Sequence, residues 1–294
     1  MIDINNLGSF IDQLRNDKYA KSYSISDKEE FEAIYTFLKQ NSFPSENFEK
    51  RIDNIIIIND EIKNGYVAAN WNASKNTLTY GDKSNLIHEL FHVASTSDNS
   101  ETSGITKYEK SSDPLGKTKI GYGLDVGITD MFTQIVDPNA PLGYPFERIC
   151  AETLKEIFGM HIFNSYFNNS YDDFIKSFPD NIKYNIISLM NYLDEYNKSF
   201  GKLLNKFENK SKDDILAAFY TDKAFQRNIA VIKEITETII KMLFNICEIV
   251  DKDKSEIIEF LIEKSNDPKF PTTIKELINY DIIINNIKSE IKTI

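Results

Sequence analysis

The run His88-Glu89-Leu90-Phe91-His92 constrains this chain more than any other stretch of its sequence. Residues four apart lie on one face of a helix, one turn from each other, so the imidazoles of His88 and His92 can reach the same metal ion. Glu89 then lies beside them. The other residues from 86 to 94 are apolar, which predicts a buried helix with one polar edge.

Histidine is rare in this chain, with only 3 among 294 residues. Chance placement would put two of them around a glutamate at this spacing in well under about one chain in a hundred. The alternative interpretation is a core helix whose histidines are hydrogen-bonded and bind no metal. The segments on either side of the helix bear on that choice.

A small sheet is predicted directly before this helix. Residues 54–59 form a β-branched run short enough for a buried strand. Residues 65–70 and 77–80 are two further strand patterns, joined by the polar stretch 72–76, which favours a hairpin. A sheet therefore leads into the helix that carries the two histidines.

The segments after the helix change in character along the chain. Residues 104–122 predict an irregular hairpin over the candidate site, and residues 123–133 predict a loop that enters a second helix. Patterns with a period of 3.6 residues dominate from residue 146 to the C-terminus. We therefore expect a helical N-terminal segment (1–50), a subdomain that holds the metal site (51–140) and a helical C-terminal subdomain (141–294).

Composition excludes several classes of protein. A hydrophobic content of 41% predicts a globular chain, and a formal net charge of −11 without a Lys/Arg cluster disfavours nucleic acid and anionic membranes as partners. The N-terminus lacks the basic and apolar regions of a signal peptide, and no apolar run approaches the length of a membrane span. We expect a cytoplasmic protein whose two cysteines, Cys150 and Cys247, are buried reduced thiols.

The sheet, the His-Glu-x-x-His helix and the helix that follows resemble the gluzincin type of zinc metallopeptidase, and in particular small zincin-like proteins of Gram-positive bacteria. The resemblance covers roughly residues 54–133. It implies an α+β, zincin-like fold: a small mixed or antiparallel sheet with an active-site helix, followed by the helical C-terminal subdomain. It also implies that His88 and His92 bind Zn²⁺ and that Glu89 is the general base.

The resemblance departs from the family pattern at the third metal ligand. In the family, a second helix with the pattern Asn-Glu-Gly-x-(Thr/Ser)-(Glu/Asp) supplies that ligand through its first glutamate, and here the position falls on Val126. Asp130 falls on the position of a carboxylate that orients a ligating imidazole. Three repairs remain open: Asp125 or Asp130 binds the metal directly, or a residue outside the pattern such as Glu152, or water, completes the coordination.

Further residues are weaker candidates for the site. His161 can polarise the oxyanion of a tetrahedral intermediate or supply the missing ligand, although a lone histidine on an apolar helix is more often structural. Tyr122 and Tyr108, in the predicted hairpin, are alternative oxyanion donors. Trp71 is predicted to lie in the core.

These features predict a cytoplasmic hydrolase that uses one zinc ion and Glu89 to cleave a peptide or protein substrate, which would pair with the strand at residues 77–80. The alternative is a catalytically degenerate zincin that serves as a binding or regulatory module, and it follows from Val126. A helical bundle with an accidental motif would require every surrounding match to be coincidental. The sequence leaves the substrate and the oligomeric state open.

Overall fold

The computed structural model describes residues 27–53, 55–59, 69–81, 83–110, 117–207, 212–270 and 278–291. The chain has an α+β fold in which small sheets of two and three strands occur among many helices. It divides into two compact units. Unit 1 comprises residues 1–118, 129–141 and 161–174, and unit 2 comprises residues 119–128, 142–160 and 175–294.

The first half of the chain contains the strands. In chain order it forms α1 (Asp27–Gln40), α2 (Glu46–Ile52), β1 (Ile56–Asn59), β2 (Ala69–Asn72), β3 (Thr77–Tyr80), α3 (Leu86–Ala94), β4 (Lys107–Lys110) and β5 (Lys117–Ile120). The strands predicted at residues 54–59 and 77–80 and the hairpin of β2 and β3 are confirmed. Residues 60–68, where the second strand was predicted to begin, lie outside the described residues.

The order of strands in the three-stranded sheet is β1-β3-β2. β1 runs parallel to β3, and β2 runs antiparallel to it. Because β3 is hydrogen-bonded on both edges, it cannot pair with a further strand. The prediction that a substrate pairs with residues 77–80 is therefore wrong.

Helix α3 is buried through its apolar residues. Leu86, Leu90, Phe91, Val93 and Ala94 have no exposed surface. The ring of Phe91 lies 5.3 Å from that of Phe37 on α1 and 5.6 Å from that of Phe132, measured between centroids. Each large apolar side chain buried in this way contributes roughly 1.5–3 kcal/mol to the stability of the fold. The apolar side of α3 is therefore held firmly against its neighbours, and the position of its polar edge is fixed.

The second half of the chain is helical, as predicted. It forms α4 (Tyr122–Val136), α5 (Pro145–Phe158), α6 (Asn164–Phe167), α7 (Tyr171–Lys176), α8 (Lys183–Phe207), α9 (Lys212–Thr221), α10 (Lys223–Ile249), α11 (Lys254–Ser265) and α12 (Tyr280–Ile291). None of the helices in the described part of the chain is long and apolar enough to cross a membrane. Cys150 and Cys247 are buried free thiols, as expected.

The two units differ from the three predicted segments. Helices α1 and α2 pack against α3, so the N-terminal segment belongs to the same unit as the sheet. Residues 161–174 also belong to unit 1, although they were assigned to the C-terminal subdomain. Period-3.6 patterns identify the helices but not the partners against which their apolar faces pack.

The start of α4 is fixed by a carboxylate from α8. Asp194 accepts hydrogen bonds from the backbone N–H groups of Gly121 and Gly123, both at 2.7 Å, and from that of Tyr122. The first N–H groups of a helix have no partner within the helix, so Asp194 takes the place of a local N-cap. Burial nevertheless raises the pKa of Asp194 from 3.8 to about 6.

This shift predicts a pH-dependent contribution of Asp194 to stability. Between about pH 4 and 6 the folded chain holds a proton at Asp194 that the unfolded chain has lost, so its contribution is complete at low pH and disappears as the pH rises. At about 1.36 kcal/mol per pH unit, the loss is about 3 kcal/mol. Urea unfolding at several pH values should show the stability of wild type falling by this amount relative to Asp194→Asn. A constant difference between the two proteins would contradict the prediction.

Candidate metal centre

Helix α3 brings the three residues of the motif together. The ring centroids of His88 and His92 lie 5.0 Å apart, with an angle of 74° between the ring planes. His92 is buried, and the side chain of His88 is 14% exposed. Two imidazoles at this separation on one helical face can donate to one ion.

His88 is oriented by Asp130. Its Nδ1 lies 2.8 Å from Oδ1 of Asp130, a buried residue on α4. In the tautomer whose Nδ1–H points at this carboxylate, His88 would bind a metal ion through Nε2. A carboxylate beside a ring nitrogen in this way is typical of a residue that orients a ligating histidine.

His92 is oriented by Ser103, which no sequence pattern indicated. The hydroxyl of Ser103 lies 3.0 Å from Nδ1 of His92. Asn169 fixes the loop of Ser103, because its amide donates to the carbonyl of Gly104 and accepts from the backbone N–H of Ser97. In the tautomer whose Nδ1–H donates to Ser103, His92 would likewise bind a metal ion through Nε2.

Glu89 lies between the two histidines in sequence, and its carboxyl group has a raised pKa. Burial raises that pKa, the neighbouring His88 and a backbone hydrogen bond from Trp71 oppose the shift, and the charge of Asp130 adds to it. A carboxylate whose pKa lies closer to neutrality is a better proton acceptor and a better donor in the following step. The environment of Glu89 therefore suits a general base.

Trp71 and Thr96 also contact the end of α3. The indole N–H of Trp71 donates to the hydroxyl of Thr96 at 2.9 Å, and that hydroxyl donates to the backbone carbonyl of His92 at 2.6 Å. Trp71 was predicted to lie in the core, and it is half-buried. Its indole N–H makes a specific polar contact that its residue type alone did not indicate.

The described residues do not complete a three-ligand centre. They contain no group of three or more His, Cys, Asp or Glu side chains arranged to hold a metal ion. Val126 and Asp125 are fully buried in the first half of α4. Glu152 lies in unit 2, with its carboxylate 3.8 Å from Arg148 and 3.5 Å from Lys264.

The weaker candidates are placed on separate elements. His161 is exposed on a short 3₁₀ helix, Met160–Phe163. The hydroxyl of Tyr122 lies 3.3 Å from that of Tyr144 within unit 2. Tyr108 is 38% exposed on β4.

The comparisons with known proteins gave no relative. The chain matches no protein-family model, no curated protein and no solved structure. The resemblance to gluzincins therefore rests on the residues themselves, and a function for this chain has to be argued from the geometry of α3 and its surroundings.

Proposed function

We propose that this protein is a zinc-dependent metallopeptidase, with His88 and His92 as metal ligands and Glu89 as general base. One observation carries the proposal: His88 and His92 share one face of α3 with ring centroids 5.0 Å apart, and their Nδ1 atoms lie 2.8 Å from Asp130 and 3.0 Å from Ser103. A carboxylate or hydroxyl group beside Nδ1 of a histidine is typical of a ring that binds a metal ion through Nε2.

The pair of imidazoles fits a zinc ion as two of its ligands. Catalytic zinc sites usually have three protein ligands and a water molecule, and the described residues supply no third carboxylate, thiolate or imidazole. Water or the substrate would occupy the remaining positions. Bound zinc would lower the pKa of its water towards neutrality.

In this proposal each residue of the site has a separate role in peptide hydrolysis. Glu89 accepts a proton from the attacking water and delivers it to the leaving amine, for which its raised pKa is suited. Asp130 and Ser103 keep the rings of His88 and His92 in the ligating orientation. The apolar side of α3 keeps bulk water from the rear of the site.

Strand β2 replaces β3 as the element for substrate binding in this proposal. No described strand pairs with the edge of β2 that faces away from β3. The same strand contains Trp71, whose backbone bonds to Glu89. An extended peptide added along β2 would therefore bring a scissile bond close to the general base.

Zinc binding is the direct test. We expect protein purified without added metal to bind about one zinc per chain when titrated with Zn²⁺, and His88→Ala and His92→Ala to lose that zinc because each removes one of the two ligands. His161→Ala is the matched control, since it removes the one remaining histidine of the chain. The metal content is measured by atomic emission. Wild type that takes up no zinc, or a His161→Ala variant that loses as much as the others, would contradict the assignment.

A second candidate function is a degenerate zincin that binds a partner without cleaving it. It is favoured by Val126, which has no atom able to bind metal and is fully buried one turn before Asp130 on α4. In that case Val126→Glu should raise zinc affinity, by about tenfold or more, because it supplies a third ligand. A chelator competition assay measures the change. If Val126→Glu weakens zinc binding, the ligand set is already complete and this candidate loses its basis.

A further inference from the structure

Trp71 contacts the metal helix through its main chain and through its side chain. Its backbone forms a hydrogen bond with the carboxylate of Glu89. Its indole N–H donates to the hydroxyl of Thr96, 2.9 Å away. One residue of β2 therefore contacts both the proposed base and the turn that ends α3.

Thr96 links the indole of Trp71 to the main chain of a proposed ligand, His92. Its hydroxyl donates to the carbonyl of His92 at 2.6 Å, and the residue has no exposed surface. An indole N–H can only donate, so the hydroxyl must accept from Trp71 and donate to His92. The carbonyls in the last turn of a helix lack partners within the helix, and this bond, the shorter of two because the Ser95 hydroxyl also donates to the same carbonyl at 3.3 Å, helps fix the main chain of His92.

Arg51 makes the arrangement rigid. The guanidinium is buried, lies 5.9 Å from the centre of the Trp71 ring and donates through Nε to the carbonyl of Thr96 at 3.2 Å. Its other nitrogens donate to the carbonyls of Ala73 and Ser97. A planar cation with several fixed donors holds β2 and the end of α3 in one geometry.

We infer that Trp71 and Thr96 are positioning residues of the metal centre. They fix the main chain of His92 and the carboxylate of Glu89 relative to each other. The inference rests on the proposed function. Ser103 orients the ring of His92, whereas Thr96 fixes the backbone from which that ring extends. Both constraints are needed because a ligand displaced by about half an ångström no longer meets the ion at its preferred distance.

The experiment compares two buried threonines that make the same local bond. In Thr96→Val the bond to His92 is lost and the indole of Trp71 is left without its acceptor. Thr236→Val is the matched control, because the hydroxyl of Thr236 donates to the carbonyl four residues earlier at 2.8 Å, on α10 in unit 2. Thr96→Ser keeps the hydroxyl. Trp71→Phe removes only the indole donor and keeps an aromatic ring.

The readouts are the affinity for Zn²⁺, from chelator competition, and the absorption spectrum of the Co²⁺-substituted protein, which reports coordination geometry. We expect Thr96→Val and Trp71→Phe to weaken zinc binding about tenfold and to change the Co²⁺ spectrum, as loss of a ligand-orienting partner does. Thr96→Ser should stay close to wild type. Thr236→Val should lower the thermal midpoint of the metal-free protein as Thr96→Val does, with zinc affinity unchanged.

The outcomes separate this inference from the proposed function. If wild type binds zinc and Thr96→Val keeps wild-type affinity and spectrum, Thr96 has only a structural role and the inference is overturned. If Thr236→Val weakens zinc binding as much as Thr96→Val, the effect is one of general stability and the inference is again overturned. If wild type binds no Zn²⁺, the proposed function fails, and the inference fails with it.

Discussion

Replacing Glu89 by glutamine is expected to lower kcat for peptide hydrolysis by about 10²- to 10⁴-fold, the usual contribution of a positioned general base. Glutamine has the shape of glutamate and can still accept the backbone hydrogen bond from Trp71, but it cannot take up a proton at neutral pH. Zinc affinity should not fall, because the two imidazoles bind the ion in this proposal and Glu89 does not.

The same substitution should leave the fold intact or make it more stable. The pKa of Glu89 is raised in the folded protein, so its contribution to stability is present at low pH and is lost as the pH rises through that pKa. At neutral pH, glutamine removes the cost of holding a charge in a poorly hydrated position. Loss of activity without loss of stability would separate a catalytic role for Glu89 from a structural one.

The measurement uses a library of fluorescence-quenched peptides, with the thermal midpoint of the metal-free protein recorded in parallel. Glu89→Asp is the matched variant, since it keeps the carboxylate and retracts it by one methylene, and it should retain part of the activity. Equal activity in Glu89→Gln and wild type would contradict the assignment of Glu89 as the general base. Zinc-loaded wild type that cleaves no peptide would favour the degenerate binding module.

Replacing Gly127 by alanine is expected to destabilise the protein by about 1 to 3 kcal/mol. A Cβ atom at Gly127 would lie 2.3 Å from the carbonyl oxygen and 2.5 Å from the carbonyl carbon of Glu147, the third residue of α5. Both are backbone atoms, so no side chain can rotate away. Helix α4 must move from α5, and the packing between these helices is lost.

Gly201 provides the matched control for Gly127. It also lies in a helix of unit 2, but a Cβ added there would meet nothing within 4 Å. Gly201→Ala should therefore stabilise the protein by about 0.5–1 kcal/mol, because alanine restricts the unfolded chain and favours the helix. Urea unfolding followed by circular dichroism measures both variants. Similar stability in the two variants would contradict the close contact of α4 with α5.

Local periodicity determined a large part of this protein. The spacing of His88 and His92 and the apolar residues around them specified a buried helix with one polar edge, and α3 is that helix. The strands before it and the helices of the second half follow in the same way from alternation and from the 3.6-residue period. Gly127 falls on the glycine of the family's second-helix pattern, but the contact that requires a glycine there, with the backbone carbonyl of Glu147, is visible only in the fold.

The partners of these elements were decided by the tertiary structure. Ser103, Trp71 and Thr96 carried no sequence signal, because a hydrogen bond to His92 depends on where a loop or strand passes and not on the spacing of residues along it. Strand β3 is the central strand of its sheet because it pairs in parallel with β1. The alternation of apolar and polar residues within one strand does not encode which strand becomes its neighbour. Residue spacing along one helix therefore determines which groups can face one ion. The packing of distant segments determines which side chains lie beside each ring nitrogen and which edge of a strand is already paired.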